Sequence, residues 1–462
     1  MISNNKLKQI HIIEKRRNNV IVYCNWIQEL LEMSPKTYEI LDLYINKNFK
    51  EKEILNTYSN LKDRQLGQLI EKFNHVVLKI TKKIYNKKIS NKFRNAEIKI
   101  NLTHKCNLDC SYCYVKKRYP SMGNMTKNTG KNIIDFFNKQ FDGYNIKITF
   151  FGGEPLLNFS TMEYICEYAT NKKKNNFQFG MISNGTILNK KIIYLIKTYK
   201  MRLTISFDGP KYVHNRLRCY QNGKGTYDDI KSNIKTLQKN KIPIDYETTY
   251  TSIHEAYNLT RHELIEFQKR ELGFEDGVIS NVSTFDVDTK KLKNKNNKSK
   301  DSLDYIEKGE LVEPWMYFPF HAFFNKIFIR YLCGVGKIYF DLTPDGSIYP
   351  CQLLVGLNNN ELKMGNVNSD VNKNFLELQK KIDIFDHFKN KKCKSCWAKF
   401  LCKGCPAQMY SENEKLTISE KFCKTMKKNI ELLLKKFYHI RKNEKKYKLL
   451  IDRCKEKYKL NY

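Results

Sequence analysis

Between residues 96 and 285 six strand-like stretches alternate with helical ones, and no other property of this chain limits its fold as tightly. The strand candidates are "AEIKINL" (96–102), "IKITFF" (146–151), "FQFGMI" (177–182), "RLTISF" (202–207), "PIDYETTY" (243–250) and "GVISNV" (277–282). Between them lie stretches such as "GKNIIDFFNKQF", in which Ile133, Phe136, Phe137 and Phe141 recur at helical spacing. Alternation of this kind implies an α/β fold, a parallel sheet covered by helices. Six such units would close partway, as a partial (β/α)6 TIM-like barrel. Function in such folds sits at the C-terminal ends of the strands.

The flanks read differently. Residues 1–92 suggest a winged-helix-like module built from a strand pair and short helices. "NNVIVYCN" (18–25) reads as a turn and a short strand. "SPKTYEILDLYINKN" starts a helix, with Ser34 as N-cap, Pro35 at the first helical position, and Tyr38, Leu41 and Ile45 on one face. "LKDRQLGQLIEKFNHVVLKI" gives a further helix. The barrel is expected over 96–330, and the lysine-rich "TKKLKNKNNKSKDS" (289–302) within it reads as a disordered loop. Residues 331–430 are rich in Cys and Gly and poor in long helices. Residues 431–462 read as a helical basic tail.

No apolar run reaches the ~20 residues of a membrane span, and "MISNNKLKQIHIIEKRR" lacks the apolar core of a signal peptide. A cytoplasmic protein with reduced thiols is expected. The fourteen cysteines then read as metal or cluster ligands rather than as a disulfide framework. The net charge of +35 would suit an acidic partner. The lysines are spread along the whole chain, however, as codon bias in an AT-rich genome would spread them.

Cys106-x3-Cys110-x2-Cys113 follows the first strand directly. Three thiolates on a short loop would hold three irons of a [4Fe–4S] cluster and leave the fourth for an outside ligand. The alternative is a structural zinc site that borrows a distant fourth ligand. "FFGGEP" (150–155), "ISNGT" (182–186) and "SFDGPKYVHNRLR" (206–218) stand at the next three strand ends. Each alone is an ordinary turn. Together, in order and one per strand, they resemble the motifs of radical S-adenosylmethionine (SAM) enzymes. That resemblance implies that Cys106, Cys110 and Cys113 hold the catalytic cluster, whose open iron chelates SAM. It implies that Tyr112 lies next to the adenine, and that Gly152, Gly153, Glu154 and Pro155 contact the methionine amino group. It places Ser183, Ser206, Asp208 and Arg218 near the ribose or carboxylate. Cys219 is a further candidate ligand, and His214 reads as a structural hydrogen-bonding residue.

A second set comprises Cys333, Cys351, Cys393, Cys396, Cys402, Cys405 and Cys423. The five residues between the two C-x2-C pairs are too few for a usual zinc ribbon. The run from "CGVGKIYFDLTPDGSIYPC" through "CKSCWAKFLCKGC" to Cys423 resembles the SPASM extension of peptide-modifying radical SAM enzymes, which carries two auxiliary [4Fe–4S] clusters. The resemblance implies one cluster on Cys393, Cys396, Cys402 and Cys423 and another on Cys333, Cys351 and Cys405. Only Lys403 and Gly404 separate Cys402 from Cys405, where the family usually has three residues. "GVGKIYF" offers no extra ligand after Cys333, so this cluster is expected to keep an open iron for a substrate thiolate. Cys166, on a helix face with Met162 and Ala169, and Cys454, four residues from Leu450, read as small buried hydrophobes.

The N-terminal module resembles the leader-recognition element of ribosomal-peptide maturases, against a generic, DNA-binding winged helix. The resemblance implies a precursor peptide whose leader adds a strand to a sheet edge. The expected activity is SAM cleavage to a 5′-deoxyadenosyl radical that abstracts hydrogen from the peptide, forming a Cys thioether. Peptide C–C cross-linking, epimerisation and formylglycine formation are alternatives within the same chemistry. A zinc- and nucleic-acid-binding protein is the alternative outside it. An electron donor such as flavodoxin or ferredoxin is expected, and neither a membrane nor a nucleic acid is expected as a partner.

Overall fold

The computed structural model describes residues 9–86, 95–281, 305–308, 314–328, 333–357, 360–369 and 372–458, except 59, 173, 275 and 276. The stretch 289–302 lies outside the described residues. Among the described residues, no helix is long and apolar enough to cross a membrane.

All six expected strands form: β4 (Asn95–Thr103), β5 (Asn145–Gly152), β6 (Asn176–Ser183), β7 (Arg202–Ser206), β8 (Ile244–Tyr250) and β9 (Gly277–Asn281). They are hydrogen-bonded in chain order, and every neighbouring pair is parallel. The sheet does not end at β4. There β10 (Tyr339–Leu342) adds in parallel, followed by antiparallel β11 (Ser347–Tyr349) and β12 (Gly365–Asn366). The barrel and the first part of the Cys-rich region thus share one nine-stranded sheet.

Side chains alternate across a strand. Ile98, Ile100 and Leu102 of β4, Ile146, Ile148 and Phe150 of β5, and Phe340 and Leu342 of β10 are buried in the main core. Its helical side includes Ile133, Ile134 and Phe137. The other face carries Lys99, Asn101, Thr103 and Thr149, all buried as well. Small barrels usually fill their interiors with Val, Ile and Leu; this one lines its interior with hydrogen-bonding groups.

The N-terminal module holds three strands rather than a pair: β1 (Ile10–Lys15), β2 (Val20–Cys24) and β3 (Glu29–Met33), all antiparallel. Ser34 caps the next helix, Pro35–Leu41, its hydroxyl accepting the Thr37 N–H at 3.1 Å. Helices Glu51–Thr57 and Asp63–Asn86 follow. One sheet face (Ile10, Val20, Val22, Cys24) packs on Trp26, Leu41, Ile45 and Phe73. The opposite face (Ile13, Ile21, Tyr23, Leu30) joins the core of the main body.

What receives that face is the helix Glu420–Arg441, capped by Ser419. Its apolar stripe, Phe422, Met426, Ile430, Leu433, Leu434 and Phe437, has helical period. The helix runs through residues 430 and 431, where the sequence suggested a boundary, and a second helix, Glu444–Tyr458, follows. Polar contacts edge this seam. His439 Nε2 stands 2.9 Å from Glu14, Tyr438 donates its hydroxyl to Glu32, and Arg441 reaches Glu29 and, at 3.1 Å, the Leu30 carbonyl. His11 stacks on Trp397 with ring centroids 3.9 Å apart.

Candidate active site

β4 ends at Thr103 and the chain turns at once into the first cysteine loop. Cys113 then caps the helix Tyr114–Arg118 through its own sulfur. Two sulfurs receive backbone donors: Leu108 N–H points to Cys106 Sγ at 3.4 Å and Lys116 N–H to Cys113 Sγ at 3.5 Å. Burial lifts the thiol of Cys106 to about 11 and that of Cys110 to about 12. Cys113 adds to both shifts, so the three groups share one electrostatic neighbourhood. The Arg218 cation works the other way on Cys110.

Three clustered thiols, with N–H donors at two sulfurs and a cation nearby, fit a group that binds as thiolates, as an iron–sulfur cluster does. A single zinc ion would need ligands converging to about 2.0–2.3 Å. Among the described residues no three His, Cys, Asp or Glu side chains converge in that way.

The two glycines of "GGEP" make their tight contacts with the cysteine loop itself. Gly152 has φ +133°, and a Cβ there would stand 2.1 Å from the Thr103 carbonyl oxygen. A Cβ at Gly153 would stand 2.1 Å from that of Lys105. In this close approach Gly153 N–H donates to Thr103 O at 2.8 Å and Glu154 N–H to Lys105 O at 2.9 Å. The Glu154 carboxylate is fully buried and accepts from Ser183 Oγ (3.0 Å), Asn184 N–H (2.8 Å) and Leu156 N–H (3.1 Å). Burial nonetheless raises its pKa to about 7. Pro155 begins the short turn Pro155–Asn158 beyond it.

Asn184 was not singled out in the sequence. Its side chain donates to Asn107 Oδ1 at 2.8 Å and approaches Cys106 Sγ at 3.8 Å, which ties β6 to the loop. The signal was its place in "ISNGT", where Asn-Gly reads first as a turn.

At the end of β7, Asp208 accepts from Tyr112 Oη at 2.5 Å, Arg218 Nε at 3.3 Å and Thr249 N–H at 3.0 Å. Burial alone would raise its pKa, but the Arg218 cation and the hydrogen bonds from Tyr112 and Thr249 hold it below the usual carboxylate value. Tyr112, Asp208 and Arg218 thus form one buried polar group, and the ring of Tyr112 packs with Val213 and Leu217. Ser206 is two residues away, paired in register with Glu247 of β8, and is not part of that group. His214 is buried. It accepts Asp208 N–H through Nδ1 at 3.1 Å and meets Thr226 Oγ1 through Nε2 at 3.0 Å, a structural role. Burial drops its pKa to about 3. Cys219 accepts Asp109 N–H on its carbonyl at 2.8 Å and bridges the loop to the β7 side.

The remaining cysteines fall into two electrostatic sets. Burial raises Cys333 to about 11, with Cys405 adding to the shift, and raises Cys351 further, with Cys405 and Cys333 adding. Backbone donors reach Cys351 Sγ (Leu353, 3.5 Å) and Cys405 Sγ (Gln408, 3.5 Å). In the other set burial raises Cys402, helped by Cys396, Cys423 and Cys393, and raises Cys393 to about 12, helped by Cys396 and Cys423. Cys24 and Cys166 are fully buried among apolar side chains. The side chain of Cys454 lies outside the described residues.

The first loop and the Cys351 segment touch. Tyr119 Oη donates to Gln352 O at 2.7 Å, and a Cβ at Gly356 (φ +72°) would stand 2.3 Å from Arg118 O.

Residues 100–268 match the family model of the radical SAM superfamily, and residues 333–397 match that of the SPASM iron–sulfur cluster-binding domain. The chain is a radical SAM/SPASM enzyme. As such it uses SAM and [4Fe–4S] clusters. Among curated relatives, the radical SAM cyclopropyl synthase TigE of Paramaledivibacter caminithermalis is 22% identical over 75% of this chain and 78% of its own. A cysteine-type anaerobic sulfatase-maturating enzyme of Clostridium novyi is 26% identical over 73% of this chain and 94% of its own. Two solved structures share the fold. Native anSMEcpe with bound AdoMet has a TM-score of 0.59 and 21% identity, over 75% of this chain and 99% of its own. Streptococcus suis SuiB bound to precursor peptide SuiA has a TM-score of 0.50 and 16% identity, over 90% of this chain and 98% of its own.

Proposed function

We propose that this radical SAM/SPASM enzyme matures a ribosomally made peptide. Its N-terminal module (residues 1–92) would bind the leader by strand addition, and the core peptide would enter the polar interior of the barrel. The observation that carries the reading is that module. Its small sheet packs one face on the helix Glu420–Arg441, so a strand added at its edge would be anchored to the catalytic body. The similarity to SuiB, whose structure holds a precursor peptide, extends over 90% of this chain and agrees with it.

Cys106, Cys110 and Cys113 are proposed to hold the SAM-binding cluster. Cys333, Cys351 and Cys405, and Cys393, Cys396, Cys402 and Cys423, are proposed to hold the two auxiliary clusters. Held by Cys106, Cys110 and Cys113 and reduced by a flavodoxin or ferredoxin, the SAM-binding cluster would supply the electron for reductive cleavage of bound SAM. The protein's part is to position and to exclude water. Tyr112, Gly152, Gly153, Glu154, Pro155, Ser183, Ser206, Asp208 and Arg218 ring the strand ends against which SAM would lie.

A set of three thiols leaves one position for an outside ligand. That favours a Cys-containing peptide and thioether formation over C–C cross-linking, epimerisation or formylglycine formation. The test is anaerobic reaction with SAM, a reductant and the short Cys-containing peptide encoded beside the gene. A thioether product is lighter by two hydrogen atoms and no longer reacts with thiol reagents. An unmodified peptide alongside 5′-deoxyadenosine would reject this substrate and keep the radical chemistry.

A further inference from the structure

Asp341 of β10 is a buried acid with one oxygen unaccounted for. Its strand neighbours Phe340 and Leu342 pack into the helical side of the core, so by alternation Asp341 faces the barrel interior, in register with Lys99 of β4. Oδ1 accepts from Asn101 Nδ2 at 2.7 Å. Oδ2 is buried and has no hydrogen-bond partner among the described residues. A buried acceptor left empty costs free energy and calls for a physical reason.

The surroundings suggest one. Lys99 is buried beside it, its ammonium bonded to Gln352 Oε1 and 4.7 Å over the Phe151 ring. Gln352 follows Cys351, while Tyr114 and Tyr119 lie on the segment just after Cys113. The charge of Asp341 reaches Tyr114, Tyr119, Tyr349 and Cys351, and Lys99 and Arg118 act on it in turn. Asp341 thus stands between the segment that leaves the first cysteine loop and the one that carries Cys351.

We propose that Asp341 is a substrate-binding base: its empty Oδ2 accepts the hydrogen bond, and then the proton, of a cysteine thiol on the peptide, leaving a thiolate beside the Lys99 ammonium. The S–H bond breaks, a carboxyl O–H bond forms, and no electron changes hands. Burial lifts the Asp341 pKa to about 7, which suits a base working near neutrality. The inference rests on the peptide-maturase reading and adds to it the residue that prepares the sulfur.

The probe is N-acetyl-Gly-Cys-Gly-amide, with the serine peptide as control, titrated into the cluster-loaded full chain under anaerobic conditions. The readout is the paramagnetic resonance of the reduced clusters. In wild type the cysteine peptide changes the spectrum and the serine peptide does not. Asp341→Asn and Asp341→Ser, compared at wild-type iron content, need at least tenfold more cysteine peptide for the same change. Equal titration of wild type and either variant overturns the proposal, as does a wild-type spectrum indifferent to the thiol or equally responsive to serine. If neither variant retains its iron, the carboxyl is structural and the proposal also falls. Peptide-free 5′-deoxyadenosine formation, measured in parallel, reports separately on the radical SAM reading.

Discussion

Arg218 Nε stands 3.3 Å from Asp208 Oδ2 with both side chains buried, and the Tyr112 hydroxyl, between two cysteines of the first loop, bonds to both. This pair joins the loop to the end of β7. Removing one partner leaves the other charge buried and unpaired, at a cost of about 3–5 kcal/mol. Arg218→Ala should therefore lower the urea unfolding midpoint by that equivalent. Arg218→Lys should recover only part of it, since an ammonium lacks the planar fork that meets Asp208 and Tyr112 together.

Gly153→Ala should disturb the first loop alone. The new Cβ would overlap the Lys105 carbonyl, which cannot retreat without moving Cys106. The expected iron content is about eight per chain instead of about twelve, on the premise of three four-iron clusters. Gly123→Ala, where a Cβ meets nothing within 4 Å among the described residues, should leave the iron unchanged.

The two later cysteine sets predict a pattern of non-additivity. Cys351→Ala and Cys402→Ala should each remove about four irons, and their combination about eight. Cys396→Ala combined with Cys402→Ala should remove only the four that either removes alone, because both thiols act on one neighbourhood. Independent losses from the last pair would show that the sets are drawn wrongly.

The seam between the N-terminal sheet and the helix Glu420–Arg441 should loosen in acid. Burial alone would raise the Glu14 pKa, but hydrogen bonds from Arg16 and His439 bring it below the ordinary value of 4.5. Glu32 is lowered chiefly by its bond from Tyr438. Groups whose folded pKa is depressed contribute stability that is present above the unfolded pKa and lost as pH falls through the folded one. Amide exchange in residues 10–33, corrected for intrinsic rate, should rise modestly as the pH falls below about 6.5, where burial makes His11 resist protonation, and accelerate below about 4.5, the unfolded carboxylate value. Glu14→Gln combined with Glu32→Gln should remove most of that acceleration.

The six barrel strands were legible in the sequence because each is a run of β-branched and aromatic residues bounded by turn residues. The four motifs were legible because each follows a strand end. β3 was missed: "ELLEM" carries Glu29 and Glu32 where an ordinary strand would be apolar, and those acids meet Lys326, Arg441 and Tyr438 from sequence-distant helices. β10 to β12 run for four, three and two residues, too short for any periodicity to register. The pairing of β10 with β4, and of β11 and β12 beyond it, is a tertiary fact, and so is the placement of Asp341 on the barrel-interior face. From the sequence, the glycines of "GGEP" read as part of a motif at a strand end; the structure makes them sites of close backbone approach. That the approaching backbone is the protein's own cysteine loop could be learned only from the fold.

The most direct measurement is 5′-deoxyadenosine release from SAM by anaerobically reconstituted, reduced protein, with a Cys106→Ala/Cys110→Ala/Cys113→Ala variant alongside. Wild type should release it without any peptide, and the triple variant none, while keeping about eight irons in the auxiliary clusters. Fully iron-loaded wild type that releases no 5′-deoxyadenosine, or a triple variant that releases as much as wild type, would contradict the account.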